Sequence, residues 1–138
     1  IKVHIDYCEL PLVKCYSGQL NQVFMNIISN SIDALEDYNS QFSYEEKNQN
    51  PSHILITTEF DSDTDKVSIS FKDNGPGIPS DVLGSIFEQF FTTKSVGKGT
   101  GLGLSISRQI EEEKHQGKLI CNSLPGEGTE FMIKLPVE

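Results

Sequence analysis

Residues that are apolar but for Ser31 recur at three- and four-residue steps through Leu20, Val23, Phe24, Ile27, Ile28, Ser31, Ala34 and Leu35. This spacing predicts a long amphipathic helix that ends near Asp37, with Ser17 as its cap. Before it, Ile1–Ile5 alternates apolar and polar positions as a half-buried strand does. Leu10 to Tyr16 reads as a second short strand, kept near an edge by Pro11. Tyr38 to Ser52 is rich in Asn, Gln, Ser and Glu, closes on Pro51, and reads as a surface loop or a frayed helix end. Ile54–Phe60 and Val67–Phe71 then alternate as strands on either side of the turn Asp61–Asp65, which predicts an antiparallel hairpin. Pro79 to about Glu88 is expected to be a short helix, and Gln89 to Thr100 an aperiodic lid with few buried contacts. Gly101 to about His115 is expected to be a helix closed by Gly117. Lys118–Ser123 and Thr129–Leu135 form a last hairpin across Pro125-Gly126-Glu127-Gly128. The sum is an α+β sandwich, a mixed sheet with helices on one face.

A chain of 138 residues suits one domain, residues 1–138, with a core of ordinary size. It starts at Ile1 and not at Met, so it reads as a piece of a longer protein. The net charge of −9 argues against a nucleic-acid footprint or contact with an anionic membrane surface. Cys8, Cys15 and Cys121 are odd in number and form no CxxC pair. That pattern favours reduced thiols in a cytosolic domain over a disulfide framework or a zinc site. No apolar run reaches the length of a membrane span, and no signal peptide is visible.

Chemistry enters with four motifs in a fixed order. In Gly97-Lys98-Gly99-Thr100-Gly101-Leu102-Gly103-Leu104, glycines alternate with other residues directly before an apolar helical pattern. Backbone N–H groups there can donate to an anion at the positive end of a helix, although a flexible loop has the same composition. Upstream, Asn26 and Asn30 lie four residues apart and share one helix face. Two carboxamides so placed can reach one Mg²⁺ directly or through water, or can be polar residues of a solvent face. Asp73-Asn74-Gly75-Pro76-Gly77-Ile78 follows a strand. A buried carboxylate at Asp73 would accept from the exocyclic amine of adenine and reject the carbonyl of guanine, and Gly75 and Gly77 would let the backbone fold tightly around a base. An ordinary Asp-Asn-Gly turn reads the same way. Phe87-Glu88-Gln89-Phe90-Phe91-Thr92-Thr93-Lys94 places three aromatics in five residues, which suits a core as well as a ligand contact. There is no GxxxxGK[ST] phosphate loop, no dinucleotide fingerprint and no HRD–DFG pair.

In this order the motifs resemble the ATP-binding domain of sensor histidine kinases, over nearly the whole chain. The resemblance implies a two-layer sandwich whose mixed, mostly antiparallel five-stranded sheet carries about three helices on one face, the Bergerat fold. Gln22–Leu35 is similar to the N box. By that likeness Asn26 and Asn30 form the catalytic pair, Asn30 ligating the Mg²⁺ that bridges the phosphates and Asn26 supporting the metal or its waters. Asp33 joins the nucleotide contacts at a position where many family members carry Lys. The second motif matches the G1 box, with Asp73 recognising adenine and Gly75, Gly77 and Ile78 around it. The F box would bring Phe91, Thr93 and Lys94 to the nucleotide. The glycine string would bring Lys98, Gly99, Thr100, Gly101, Leu102, Gly103 and Leu104, and Thr129 would sit near the base through water.

The N-box segment is also similar to the ATPases related to gyrase, mismatch-repair proteins and the ninety-kilodalton heat-shock chaperones. Those enzymes carry Glu at the position of Asn26, as general base for hydrolysis. A carboxamide cannot accept that proton at neutral pH, so Asn26 favours transfer to a protein acceptor. His4, His53 and His115 are the only histidines, and none has the helical His-Glu or His-Asp context of a phosphoacceptor. The resemblance therefore implies a domain that holds Mg²⁺·ATP and supplies its γ-phosphate to a histidine on a separate dimerisation domain of the same parent. That parent would be a homodimer with a response regulator downstream, and this domain would lie in the cytoplasm with no direct membrane or nucleic-acid contact. An ATP-hydrolysing conformational switch and a degenerate nucleotide-binding docking module are the alternatives.

Overall fold

The computed structural model describes residues 1–88 and 103–137. Its elements run β1 (Lys2–Asp6), α1 (Ser17–Asn39), α2 (Tyr44–Gln49), β2 (His53–Asp61), β3 (Lys66–Asp73), α3 (Ser80–Leu83), α4 (Gly103–Gln109), a π-turn (Ile110–Lys114), β4 (Lys118–Ser123) and β5 (Thr129–Pro136). The strands form a five-stranded sheet in the order β1-β2-β3-β5-β4. Only β1 and β2 are parallel; the other three pairings are antiparallel. The mixed sheet and both hairpins are as the alternation of side chains predicts.

Because successive strand residues face opposite ways, Val67, Ile69, Phe71 and Asp73 share one face of β3. On that face Phe71, Phe131, Ile133, Leu135 and Leu119 pack against Leu20, Val23 and Ile27 of α1, joined by Ile86 and Ile110. The register pairs Asp73 with Thr129 on β5 and with Ile54 on β2. A carboxylate is thereby carried to the end of the core face, where the apolar stripe of the sheet runs out.

Several local expectations change. Ser17 is not the cap of α1: the N-cap is Tyr16, with no side-chain cap hydrogen bond. The Tyr16 backbone N–H instead donates to His115 Nε2 at 2.9 Å, which ties the start of α1 to the chain beyond the π-turn. Leu10 to Tyr16 forms no strand. The backbone flanking it is held by side-chain acceptors in place of a ladder, Cys8 N–H donating to Thr58 Oγ1 at 3.0 Å. The short helix after Pro79 is confined to Ser80–Leu83, and i→i+3 turns carry the chain past Gly84 to Glu88.

Within the expected loop, Tyr44–Gln49 is helical because Ser43 caps it. Ser43 Oγ accepts from Glu46 N–H at 3.2 Å and donates to the Glu46 carboxylate at 3.1 Å. Since α2 buries no residue, the cap is its main support. Ser43→Ala is expected to cost α2 about 1 kcal/mol. Amide exchange over residues 44–49 should accelerate while the midpoint of global unfolding stays fixed; retained protection there would show that the cap is dispensable.

The helix expected to run unbroken to His115 is α only to Gln109 and then widens into the π-turn. Gln116, at φ 51°, takes the left-handed position assigned to Gly117. The Gly117 N–H closes the end on the Glu111 carbonyl at 2.8 Å. A side chain at 117 would collide with the Lys134 carbonyl, so glycine is needed there for space. The widened turn carries Glu111 into the interior at 0% exposure, although Glu112 and Glu113 beside it are exposed. Neither Glu111 carboxylate oxygen has a hydrogen-bond partner. Burial pushes its pKa up to about 7.

Candidate functional site

Asp73 ends β3 at 4% exposure, and its Oδ1 accepts from the Gly75 N–H at 2.9 Å. Burial raises its pKa; the Gly75 and Thr129 backbone N–H groups, Ser31 and the His53 charge pull the other way. Ser31, at 2% exposure on α1, borders this carboxylate with its hydroxyl. A buried carboxylate acceptor with a hydroxyl beside it matches the edge of adenine, which offers an amine donor next to a ring-nitrogen acceptor.

Two loops meet beneath this pair. The Gly126 N–H donates to the Pro76 carbonyl at 2.7 Å, and the Ile78 N–H donates to Ser123 Oγ at 2.7 Å. Ser123 Oγ in turn donates to the Gly128 carbonyl at 2.9 Å and lies 3.0 Å from Thr129 Oγ1. Gly77 (φ 77°) and Gly128 (φ 87°) make the approach possible, since side chains there would strike the Leu124 and Asp73 carbonyls. Gly77, expected to help wrap a base, thus first serves loop-to-loop packing. A side chain at Gly75 would come within 3.0 Å of Asp73 Oδ1, so Gly75 keeps the chain close under the carboxylate.

Asn26 and Asn30 are both half-buried on α1. The Asn26 Nδ2 donates to the Gly103 carbonyl at 3.2 Å and to Ser107 Oγ at 3.1 Å, which joins α1 to the first turn of α4. Asp33 is half-buried on the same helix. Among the described residues no cluster of three or more His, Cys, Asp or Glu exists to hold a metal. A divalent cation beside Asn26 and Asn30 would meet carboxamide oxygens, water and the phosphates themselves, a donor set that suits Mg²⁺.

Residues 16–138 match the family model described as histidine kinase-, DNA gyrase B-, and HSP90-like ATPase. The chain belongs to this family. Sporulation kinase E of Bacillus subtilis is 40% identical over 138 residues, covering 99% of this chain and 16% of that protein. The chain thus spans about a sixth of the relative it matches. The nucleotide-free catalytic domain of histidine kinase ThkA superposes with a TM-score of 0.76 at 32% identity, covering 99% of this chain and 78% of that one. ThkA in complex with the response regulator protein TrrA gives a TM-score of 0.72 at 28% identity, over 99% and 34% of the two chains. The five-stranded α+β sandwich is that of histidine kinase catalytic domains.

In this ATPase-family chain, the described part of the expected site falls into two groups. Asp73, Gly75, Gly77, Ile78 and Thr129 are linked through the β3 end and the two loops. Asn26, Gly103 and Ser107 are linked across α1 and α4, while Asn30 and Asp33 follow on α1 and Leu104 on α4. Phe91, Thr93, Lys94, Lys98, Gly99, Thr100, Gly101 and Leu102, with the expected lid, lie outside the described residues. Phe87 is described, half-buried against the core, with the Arg108 guanidinium 5.3 Å over its ring. Ser31, Ser107 and Ser123 were not foreseen as site residues. Ser31 had a signal, a polar residue in the core-facing stripe four from both Ile27 and Leu35; the other two had none.

Proposed function

We propose that residues 1–138 are one catalytic domain that binds Mg²⁺·ATP and supplies its γ-phosphate to a histidine on a separate dimerisation domain of the same parent. Asp73 accepts the adenine amine, with Ser31 and Thr129 beside it and the loop of Gly75, Gly77 and Ile78 bounding the base. Asn30 is the ligand for Mg²⁺, with Asn26 behind it and Asp33 nearby on the same helix. The glycine string through Gly103 and Leu104, with Phe91, Thr93, Lys94 and Lys98, takes the phosphates. When bound, the metal offsets phosphate charge, so the protein's share is positioning and charge stabilisation. This is how a chain of net charge −9 can hold an anionic ligand. Among the described residues no helix is long and apolar enough to cross a membrane. We place the domain in the cytoplasm, in a homodimeric parent that passes the phosphoryl group to a response regulator.

The observation that carries the reading is Asn26. The ATP-hydrolysing branch of the family needs a general base there, whereas this carboxamide has its nitrogen committed to Gly103 and Ser107 and no basic oxygen to offer. The isolated chain is expected to bind ATP and turn it over negligibly. Together with its parent's dimerisation domain it should yield an acid-labile, base-stable phosphoprotein. Rapid hydrolysis by the isolated chain, abolished by Asn26→Ala, would move the protein to the hydrolase branch.

A further inference from the structure

We propose that Ser107 is a positioning residue for the nucleotide site: with the Gly103 carbonyl, its hydroxyl fixes the orientation of the Asn26 carboxamide, leaving Oδ1 as the acceptor available to a metal ion or its water. This rests on the ATP-binding reading above and adds to it a residue outside every motif in the sequence.

The argument is one of donors and acceptors. The Gly103 carbonyl can only accept, and it receives Ser107 Oγ at 2.8 Å and Asn26 Nδ2 at 3.2 Å. A serine hydroxyl has one proton, and here it is committed to Gly103. Toward Asn26, 3.1 Å away, Ser107 Oγ can therefore act only as an acceptor. Both groups facing this edge of the Asn26 amide require a donor, so the edge must be Nδ2, and the orientation follows from the network. Three groups close a ring of hydrogen bonds around a serine at 0% exposure, where water does not compete. Space reinforces it: a side chain at Gly103 would touch Asn26 Cγ at 3.7 Å, so the amide lies directly against the start of α4. The Gly103 carbonyl alone favours Nδ2 on this edge, Ser107 adds the second acceptor, and an Asn held by both presents oxygen to a cation.

The test compares wild type, Ser107→Ala and Ser107→Cys, the last keeping the volume with a weaker acceptor. Each is titrated with adenosine, with ATP in EDTA and with ATP plus Mg²⁺, and the Asn26 side-chain amide signals are recorded by NMR. In Ser107→Ala the gain in ATP affinity conferred by Mg²⁺ should fall about fivefold, the scale of one hydrogen bond, with adenosine affinity unchanged. The Asn26 Nδ2 protons should shift and exchange faster, and Ser107→Cys should lie between. Unchanged Asn26 signals and an unchanged Mg²⁺ gain would overturn the proposal. So would an equal loss for adenosine and Mg²⁺·ATP with a lowered unfolding midpoint, which would make Ser107 merely structural. If wild type binds no ATP, the nucleotide reading itself fails, and the NMR comparison still decides whether Ser107 orients Asn26.

Discussion

Glu111→Gln is expected to raise the thermal unfolding midpoint at pH 8 by about 10 °C and to leave it nearly unchanged at pH 4. In the folded chain burial lifts the Glu111 pKa from its ordinary 4.5 to about 7, with neither oxygen hydrogen-bonded. Between those values the folded state keeps a proton that the unfolded state has released. Stability therefore falls as pH rises through the window from 4.5 to 7 and stays lowered above it. The difference amounts to about 3 kcal/mol when the carboxylate is ionised in both states. Gln resembles the neutral acid in size and polarity and cannot ionise, so it removes the pH-dependent part alone. Urea unfolding of both proteins from pH 4 to pH 8 measures it directly. Parallel pH profiles for wild type and variant would mean that Glu111 is solvated or paired in solution.

Glu111 also marks where sequence reading ended. Nothing in a 3.6-residue period through Glu111-Glu112-Glu113 announces a wider turn that sends the first of them inward. The strands were legible because alternation is local: Val67, Ile69 and Phe71 declare a buried face whatever they pair with. Leu10 to Tyr16 shows a similar apolar content, yet a strand also requires a neighbour, and β1 pairs with β2 only. Capping failed at Ser17 because the first helical bond runs from the Leu20 N–H to the Tyr16 carbonyl at 2.9 Å, which makes Tyr16 the residue before the first turn. Within the site, Asp73 and the asparagines stood out through the order of the motifs and the family likeness, since each motif alone also reads as a turn or a solvent face. The serines around them did not, because a hydroxyl gains its role only from the groups across from it.

Asp73→Asn is expected to weaken ATP and ADP binding by roughly 1.5–3 kcal/mol, about 10- to 150-fold. The Asn carbonyl oxygen can keep the bond from the Gly75 N–H that Oδ1 now accepts at 2.9 Å. The amide nitrogen then replaces the other oxygen and sets a donor against the adenine amine. The variant also separates recognition from folding. Burial raises the Asp73 pKa, so its charge is a burden on the nucleotide-free fold despite the Gly75 and Thr129 N–H groups. Neutral Asn should leave the free protein at neutral pH at least as stable as wild type while binding collapses. As pH falls through the raised Asp73 pKa, wild-type affinity should decline toward that of the variant, whose own affinity should not show that decline. Isothermal titration of both proteins with ATP across pH, beside their unfolding midpoints, resolves the two effects. Unchanged affinity in Asp73→Asn would remove Asp73 from the site, and joint loss of affinity and stability would reduce it to a structural residue.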